Sequence, residues 1–175
     1  MNVQHTSRSD SWRTPPHIIS LVQATLGGIG LDPASNALAN KAIGADRFLT
    51  ARDDALVAPW RCEGTSVYLN PPGGKRGNQS SVRLFWRRLM EHREDFSHAI
   101  FAMFSIEGLQ TTQGDHPAAM DFPFCVPRRR VRWVDPTSKE RSSPSHSNAF
   151  IYVPGRLDRT EAFLSNFSEL GKVKR

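Results

Sequence analysis

One stretch constrains this chain more than any other: Val67-Tyr68-Leu69-Asn70-Pro71-Pro72-Gly73-Gly74-Lys75-Arg76-Gly77-Asn78-Gln79-Ser80-Ser81. Its β-branched and aromatic start reads as a buried strand. Two prolines stop that strand, because each locks φ and lacks the N–H needed to continue a ladder. The carbonyls of Asn70 and Pro71 are thereby left as acceptors at a strand's C-terminal end, where open α/β sheets bind their ligands. An Asn carboxamide oxygen beside a rigid backbone carbonyl makes a two-acceptor fork suited to an –NH2 group. Taken alone, Asn-Pro-Pro serves equally as a plain turn, so the order of the surrounding elements decides.

Upstream, Thr14 is placed to cap a helix and Pro15 to occupy its first position. Ile18, Ile19, Val22 and Leu26 form one apolar stripe on that helix, and Gly27-Gly28 end it. Ile29-Gly30-Leu31-Asp32 reads as a short strand closing on an acid, followed by Pro33-Ala34-Ser35-Asn36 and a helical turn through Lys41. Strand, acid, small residues and helix form a nucleotide-site layout: the ligand can approach the backbone and meet free N–H groups. Read alone, Asp32 is equally a turn or cap residue. Residues 46–50 form another short strand, with Asp53-Asp54-Ala55-Leu56 and Trp60 as the turn and helix after it. Phe48 and a neighbouring acid can hold an adenine ring by stacking and hydrogen bonding, although a core position suits Phe48 as well.

Downstream, Ser80 and Ser81 cap a helix with Val82, Phe85, Trp86 and Leu89 on its inner face and Arg83, Arg87, Arg88, Glu91 and Arg93 outside. His98 to Ser105 is nearly continuous apolar sequence, the mark of a central strand covered on both faces. In the run Arg128 to Val134, alternation puts Val131, Trp133 and Arg129 on one face and Arg128, Arg130 and Arg132 on the other. That basic strip suits either phosphate contact or a solvated edge strand. Residues 135–147 read as a flexible loop, and Ala149 to Val153 as a strand. Asp158 and Glu161 then cap a last helix carrying Phe163, Leu164, Phe167 and Leu170.

The 175 residues make one ordinary domain: a disordered arm over 1–11, the main body over 12–155, and a C-terminal helix over 156–175 packed on the same body. A net charge of +6, carried largely by arginine, favours a polyanionic partner over an acidic small molecule. Two cysteines and scattered histidines offer no zinc-ligand spacing, so no metal is expected. Neither a signal peptide nor an apolar run of the ~20 residues needed to span a membrane is present, and a cytoplasmic location is expected.

In sequence order, Trp-x-Thr-Pro at 12–15, Leu-Asp-Pro-Ala at 31–34, Arg-Phe-x-Thr at 47–50, Asp53-Asp54 and Asn70-Pro71-Pro72 resemble the phage-type DNA N-6-adenine methyltransferases. The resemblance runs from about Ser11 to Gly155. It implies an α/β fold, Rossmann-like and of the class I methyltransferase kind, with a mostly parallel seven-stranded sheet flanked by helices. It also implies S-adenosylmethionine as cofactor, double-stranded DNA as partner and a phage or prophage origin in a bacterial cell. Carried over, Asn70, Pro71 and Pro72 are the catalytic motif. Thr14, Pro15, Asp32, Ala34, Phe48 and Asp54 contact the cofactor, and Lys75, Arg76, Arg128, Arg130 and Arg132 are the candidate DNA contacts. The same fork also suits RNA or a protein amide, and a non-catalytic DNA-binding scaffold is the reading of another class.

One departure matters. The fourth position of the motif, usually an aromatic that stacks on the flipped base, is Gly73. Trp60, Trp86 or another aromatic must replace it, or the loop from Gly74 to Gln79 must close over the base, or the enzyme is weak.

Overall fold

A computed structural model describes residues 12–134 and 146–175. The expected N-terminal arm, and residues 135–145 of the expected loop, lie outside the described residues.

The apolar runs assemble into a seven-stranded sheet. Strands β1 (Leu31–Asp32), β2 (Arg47–Phe48), β3 (Ser66–Leu69) and β6 (His98–Met103) are parallel, in the order β2-β1-β3-β6. Next to β6 lies β8 (Ala149–Pro154), antiparallel to it, and then β7 (Phe124–Pro127) and β9 (Gly171–Lys174), each antiparallel to its neighbour. The sheet is therefore mixed, a parallel half joined to an antiparallel one. Every residue of β6 is buried, as continuous apolar sequence requires of a strand with neighbours and cover on both sides.

Period-two alternation divides the core in two. Val67, Leu69, Ala99, Phe101, Ile151 and Val153 face one way, against Phe85, Trp86 and Leu89 of helix α3 (Ser81–Glu91). Tyr68, Ile100, Phe150 and Tyr152 face the other way, against α1 (Pro16–Leu26), α2 (Ala37–Ile43) and α5 (Thr160–Ser168). A short helix, α4 (Glu107–Thr111), follows β6. No helix among the described residues is long and apolar enough to cross a membrane.

Several local expectations are corrected. Thr14 does not cap α1. Pro15 stands at the cap and Pro16 opens the helix, and the Thr14 hydroxyl instead bonds the buried Tyr68 hydroxyl at 2.8 Å. No helix follows Asp53; residues 51–58 form turns, with Asp54 at a φ of 51°. The basic loop after Asn-Pro-Pro contains a hairpin of β4 (Lys75–Arg76) and β5 (Gln79–Ser80), turned by Gly77 at a φ of 60°. Ser80 stands at the N-cap of α3 without a side-chain cap bond.

The arginine strip is not a strand. It leaves β7 as irregular chain, with Val131 and Trp133 buried and Arg129 exposed rather than beside them, and rejoins the fold through a bridge between Val134 and Arg13. Strand β9 was not foreseen either: Gly-Lys-Val-Lys lacks the apolar density of a strand, but lies on β7 as an edge. Two arginines read as the solvated face of α3, Arg83 and Arg87, close on the buried carboxylate of Asp115.

Candidate active site

The C-terminal ends of β1 and β3 open into a cavity of about 680 Å³. Asp32 and the Pro33-Ala34-Ser35 turn come from the end of β1, and Asn70, Pro71 and Pro72 from the end of β3. Thr14 and Trp12 arrive on the segment before α1, and Asp54 on the turn after β2. The sheet thus gathers, at one edge, segments far apart in sequence.

Asp32 is buried. Its Oδ1 accepts from the Ala34 N–H at 3.0 Å, and its Oδ2 has no hydrogen-bond partner among the described residues. Burial outweighs the opposing pull of the Ala34 amide and the nearby Ser35 hydroxyl, and pushes its pKa up to about 7. An orphaned carboxylate oxygen on a cavity wall is unfinished hydrogen bonding of the kind a ligand bearing N–H or O–H groups can complete.

Asn70 is oriented by the backbone: its Nδ2 donates to the Trp12 carbonyl at 3.2 Å. That bond fixes which end of the carboxamide is committed. Oδ1 and the Pro71 carbonyl keep their acceptor capacity, neither having a partner among the described residues. Both residues line the cavity just past the end of β3.

Of the other expected site residues, Thr14, Ala34 and Asp54 line the cavity, whereas Pro15 and Phe48 do not. Thr50 and Ala51, just after β2, line it instead. Asp54 is bound by both nitrogens of Arg76, at 2.7 and 2.8 Å, and hydrogen bonding to that guanidinium holds its carboxyl below the usual range. Lys75 and Arg76 are exposed on the hairpin, with Arg76 at the cavity wall.

Arg128, Arg130 and Arg132 are exposed. Arg128 donates to the carbonyls of Ser168 and Glu169, and so caps the C-terminal end of α5. Arg132 stands two residues from the bridge to Arg13, which ties the end of the strip to a residue of the cavity wall.

Two groupings were missed in the sequence. Trp12, Phe104 and His146 bring aromatic rings to the cavity. Asn148, almost fully buried, holds the Val131 N–H with its oxygen and the Phe104 carbonyl with its nitrogen. Away from the cavity, Cys62, His92 and Asp95 place one ligand atom each within 4.8 Å of one another. They stand ahead of β3 and β6, at the opposite end of the strands, and burial pushes the Cys62 thiol up to about 11.

A buried acid, a turn of small residues and the acceptors of Asn70 and Pro71 line one cavity at the C-terminal ends of parallel strands, where open α/β sheets bind their ligands. A family model for DNA N-6-adenine-methyltransferase (Dam) matches residues 2–105, more than half of the chain, and the chain belongs to that family. No curated protein and no solved structure matches it.

Proposed function

We propose that the chain transfers a methyl group from S-adenosylmethionine to the exocyclic amine of adenine in DNA, on a Rossmann-like sheet of the class I methyltransferase kind. The family supports the reaction. The observation that carries the site is the Asn70 carboxamide, pinned through Nδ2 with Oδ1 left over beside the Pro71 carbonyl.

The cavity's residues fit the cofactor. Its volume of about 680 Å³ suits a nucleoside-sized ligand, and the partnerless Asp32 Oδ2 offers a bond to the ligand's amine or hydroxyls. The backbone of Pro33, Ala34 and Ser35 lets the ligand come close. When bound, the cofactor's sulfonium supplies an already activated methyl group.

The adenine amine is a weak nucleophile, because its lone pair is delocalised into the ring. Asn70 Oδ1 and the Pro71 carbonyl accept hydrogen bonds from its two N–H groups, favour the pyramidal amine and aim the lone pair. Such preorganised acceptors act without reorganising during the reaction. The methylated nitrogen is acidic and releases its proton to solvent, so no strong base is needed. A duplex base reaches this pocket only after flipping, at a cost of roughly a few kcal/mol, with Lys75, Arg76, Arg130 and Arg132 as the candidate phosphate contacts.

The test is transfer of a labelled methyl group to unmethylated duplex DNA, followed by nucleoside mass analysis, with Asn70→Ala in parallel. N6-methyladenine from the wild type alone is the expected result. Full activity in Asn70→Ala removes the fork from the mechanism. No product, with the cofactor still bound, moves the substrate to RNA or a protein amide, and loss of both moves the chain to a non-catalytic DNA-binding scaffold.

A further inference from the structure

We propose that Trp12, backed by Phe104, is the surface on which the target adenine stacks. This rests on the reading of the site as an adenine methyltransferase. Gly73 lines the cavity but has no side chain to offer. Trp60 and Trp86 are fully buried, and their indole N–H groups are committed to the Ala55 and Pro117 carbonyls. Neither can meet a base. Trp133 is 2 % exposed and stands behind the wall.

The aromatic side chains that line the cavity are Trp12, Phe85 and Phe104, with His146 beside Phe104. Phe85 is 7 % exposed and belongs to the core under α3, whereas Trp12 and Phe104 are only half-buried. Trp12 and Phe104 stack, with centroids 6.3 Å apart and planes 28° from parallel. Trp12 is also tied to the fork, since its carbonyl receives the Asn70 Nδ2–H. Trp12 and Asn70 therefore line the same cavity as directly hydrogen-bonded neighbours.

The wall is built rigid. Asn148 holds the Phe104 backbone, and the Trp133 ring stands 6.0 Å behind the Phe104 ring. The fold thus replaces a stacking group normally supplied inside the strand-end motif with one delivered from the segment before α1. The bond that orients Asn70 runs to the backbone of Trp12, so replacing the indole leaves that bond in place.

An adenine ring could come from the target base or from the cofactor, and the experiment separates them. The full chain is first saturated with S-adenosylhomocysteine. It is then titrated with a single-stranded oligonucleotide containing adenine, or with the same strand carrying abasic sites instead, while tryptophan fluorescence is followed. With the other three tryptophans buried, Trp12 is the reporter. The expected result is a further fluorescence change with the adenine strand only, absent in Trp12→Phe.

In methyl transfer, Trp12→Ala is expected to lose about ten- to a hundredfold in kcat/KM at unchanged S-adenosylhomocysteine affinity, and Trp12→Phe to keep most of it. Thermal melting of both variants identifies a folding defect, and Trp12→Phe, which keeps an aromatic ring, then carries the comparison. An active wild type matched by Trp12→Ala overturns the platform alone. A Trp12→Ala variant that loses S-adenosylhomocysteine affinity assigns the ring to the cofactor and also overturns it. A wild type with neither methylated product nor adenine-dependent fluorescence overturns the platform and the functional reading together.

Discussion

The Arg76 guanidinium grips both carboxylate oxygens of Asp54, at 2.7 and 2.8 Å, and so ties the β4–β5 hairpin to the turn after β2 at the cavity wall. Arginine was read as a DNA contact and the aspartate as a cofactor contact, yet each holds the other. A guanidinium fork engaged by a carboxylate is not open to bidentate phosphate. Asp54→Asn, a residue that tolerates the positive φ, is expected to raise DNA affinity. Arg76→Ala is expected to lower it and to flatten the plot of log affinity against log salt by about one unit. An unchanged slope in Arg76→Ala means that Arg76 does not meet a phosphate.

Asp32 makes the ligand-free protein less stable as pH rises. Its folded pKa of about 7 lies above the ordinary 3.8. The folded state therefore keeps a proton that the unfolded chain has lost, and stability from this group is present in full below pH 3.8 and lost as pH rises through about 7. Between pH 5 and pH 8 the loss is about 2–3 kcal/mol. Denaturant unfolding of wild type and Asp32→Asn at the two pH values checks this, with a flatter response expected in the variant. Cofactor affinity should run the other way and tighten above pH 7 if the bound ligand donates to the ionised carboxylate. An Asp32→Asn protein with the wild-type response rules out both.

Thr14 and Tyr68 satisfy each other in the core, hydroxyl to hydroxyl at 2.8 Å. Thr14→Val strands the Tyr68 hydroxyl in a buried site and should cost about 1–3 kcal/mol. In Thr14→Val/Tyr68→Phe the loss should be smaller than the sum of the single losses, because no hydroxyl is left unpaired. Additive losses would mean that the bond contributes nothing specific.

Gly171 sits where β9 crosses against β7, and a Cβ there would stand 2.0 Å from the Val126 carbonyl oxygen. The next nearest atoms, in Val126 and Pro127, are backbone too, so none can rotate away. Gly171→Ala should destabilise the fold by roughly 1–3 kcal/mol, read as a lowered Tm. An unchanged Tm would show that the edge strand can detach freely.

What could be read in advance followed from short-range chemistry. The Asn70-Pro71-Pro72 stop, the αL glycine at Gly27 and the buried run at His98 to Met103 each follow from local rules of φ, donors and alternation. Thr14 was misplaced because a Thr ahead of two prolines satisfies the local rule for a cap, while its long-range partner, Tyr68, is 54 residues away. The arginine strip alternates like a strand, but among the described residues its only strand-type pairing is the bridge at Val134. Trp12 escaped notice as a wall residue for a similar reason: a lone aromatic at the edge of a polar arm becomes informative only once Phe104 is stacked on it.

The residues of the cavity's fork and acid precede Ser105, the end of the family match, but the strand that covers the open side of β6 begins only at Ala149. A growing chain completes its chemistry-bearing half while β6, buried along its whole length in the finished protein, still has one unpaired edge. Until β8 emerges from the ribosome, that nascent half exposes a strand edge primed for self-association. Truncation after residue 105 would make this transient exposure permanent, so the smallest segment that covers both edges of β6 is larger than the one that carries the family signature.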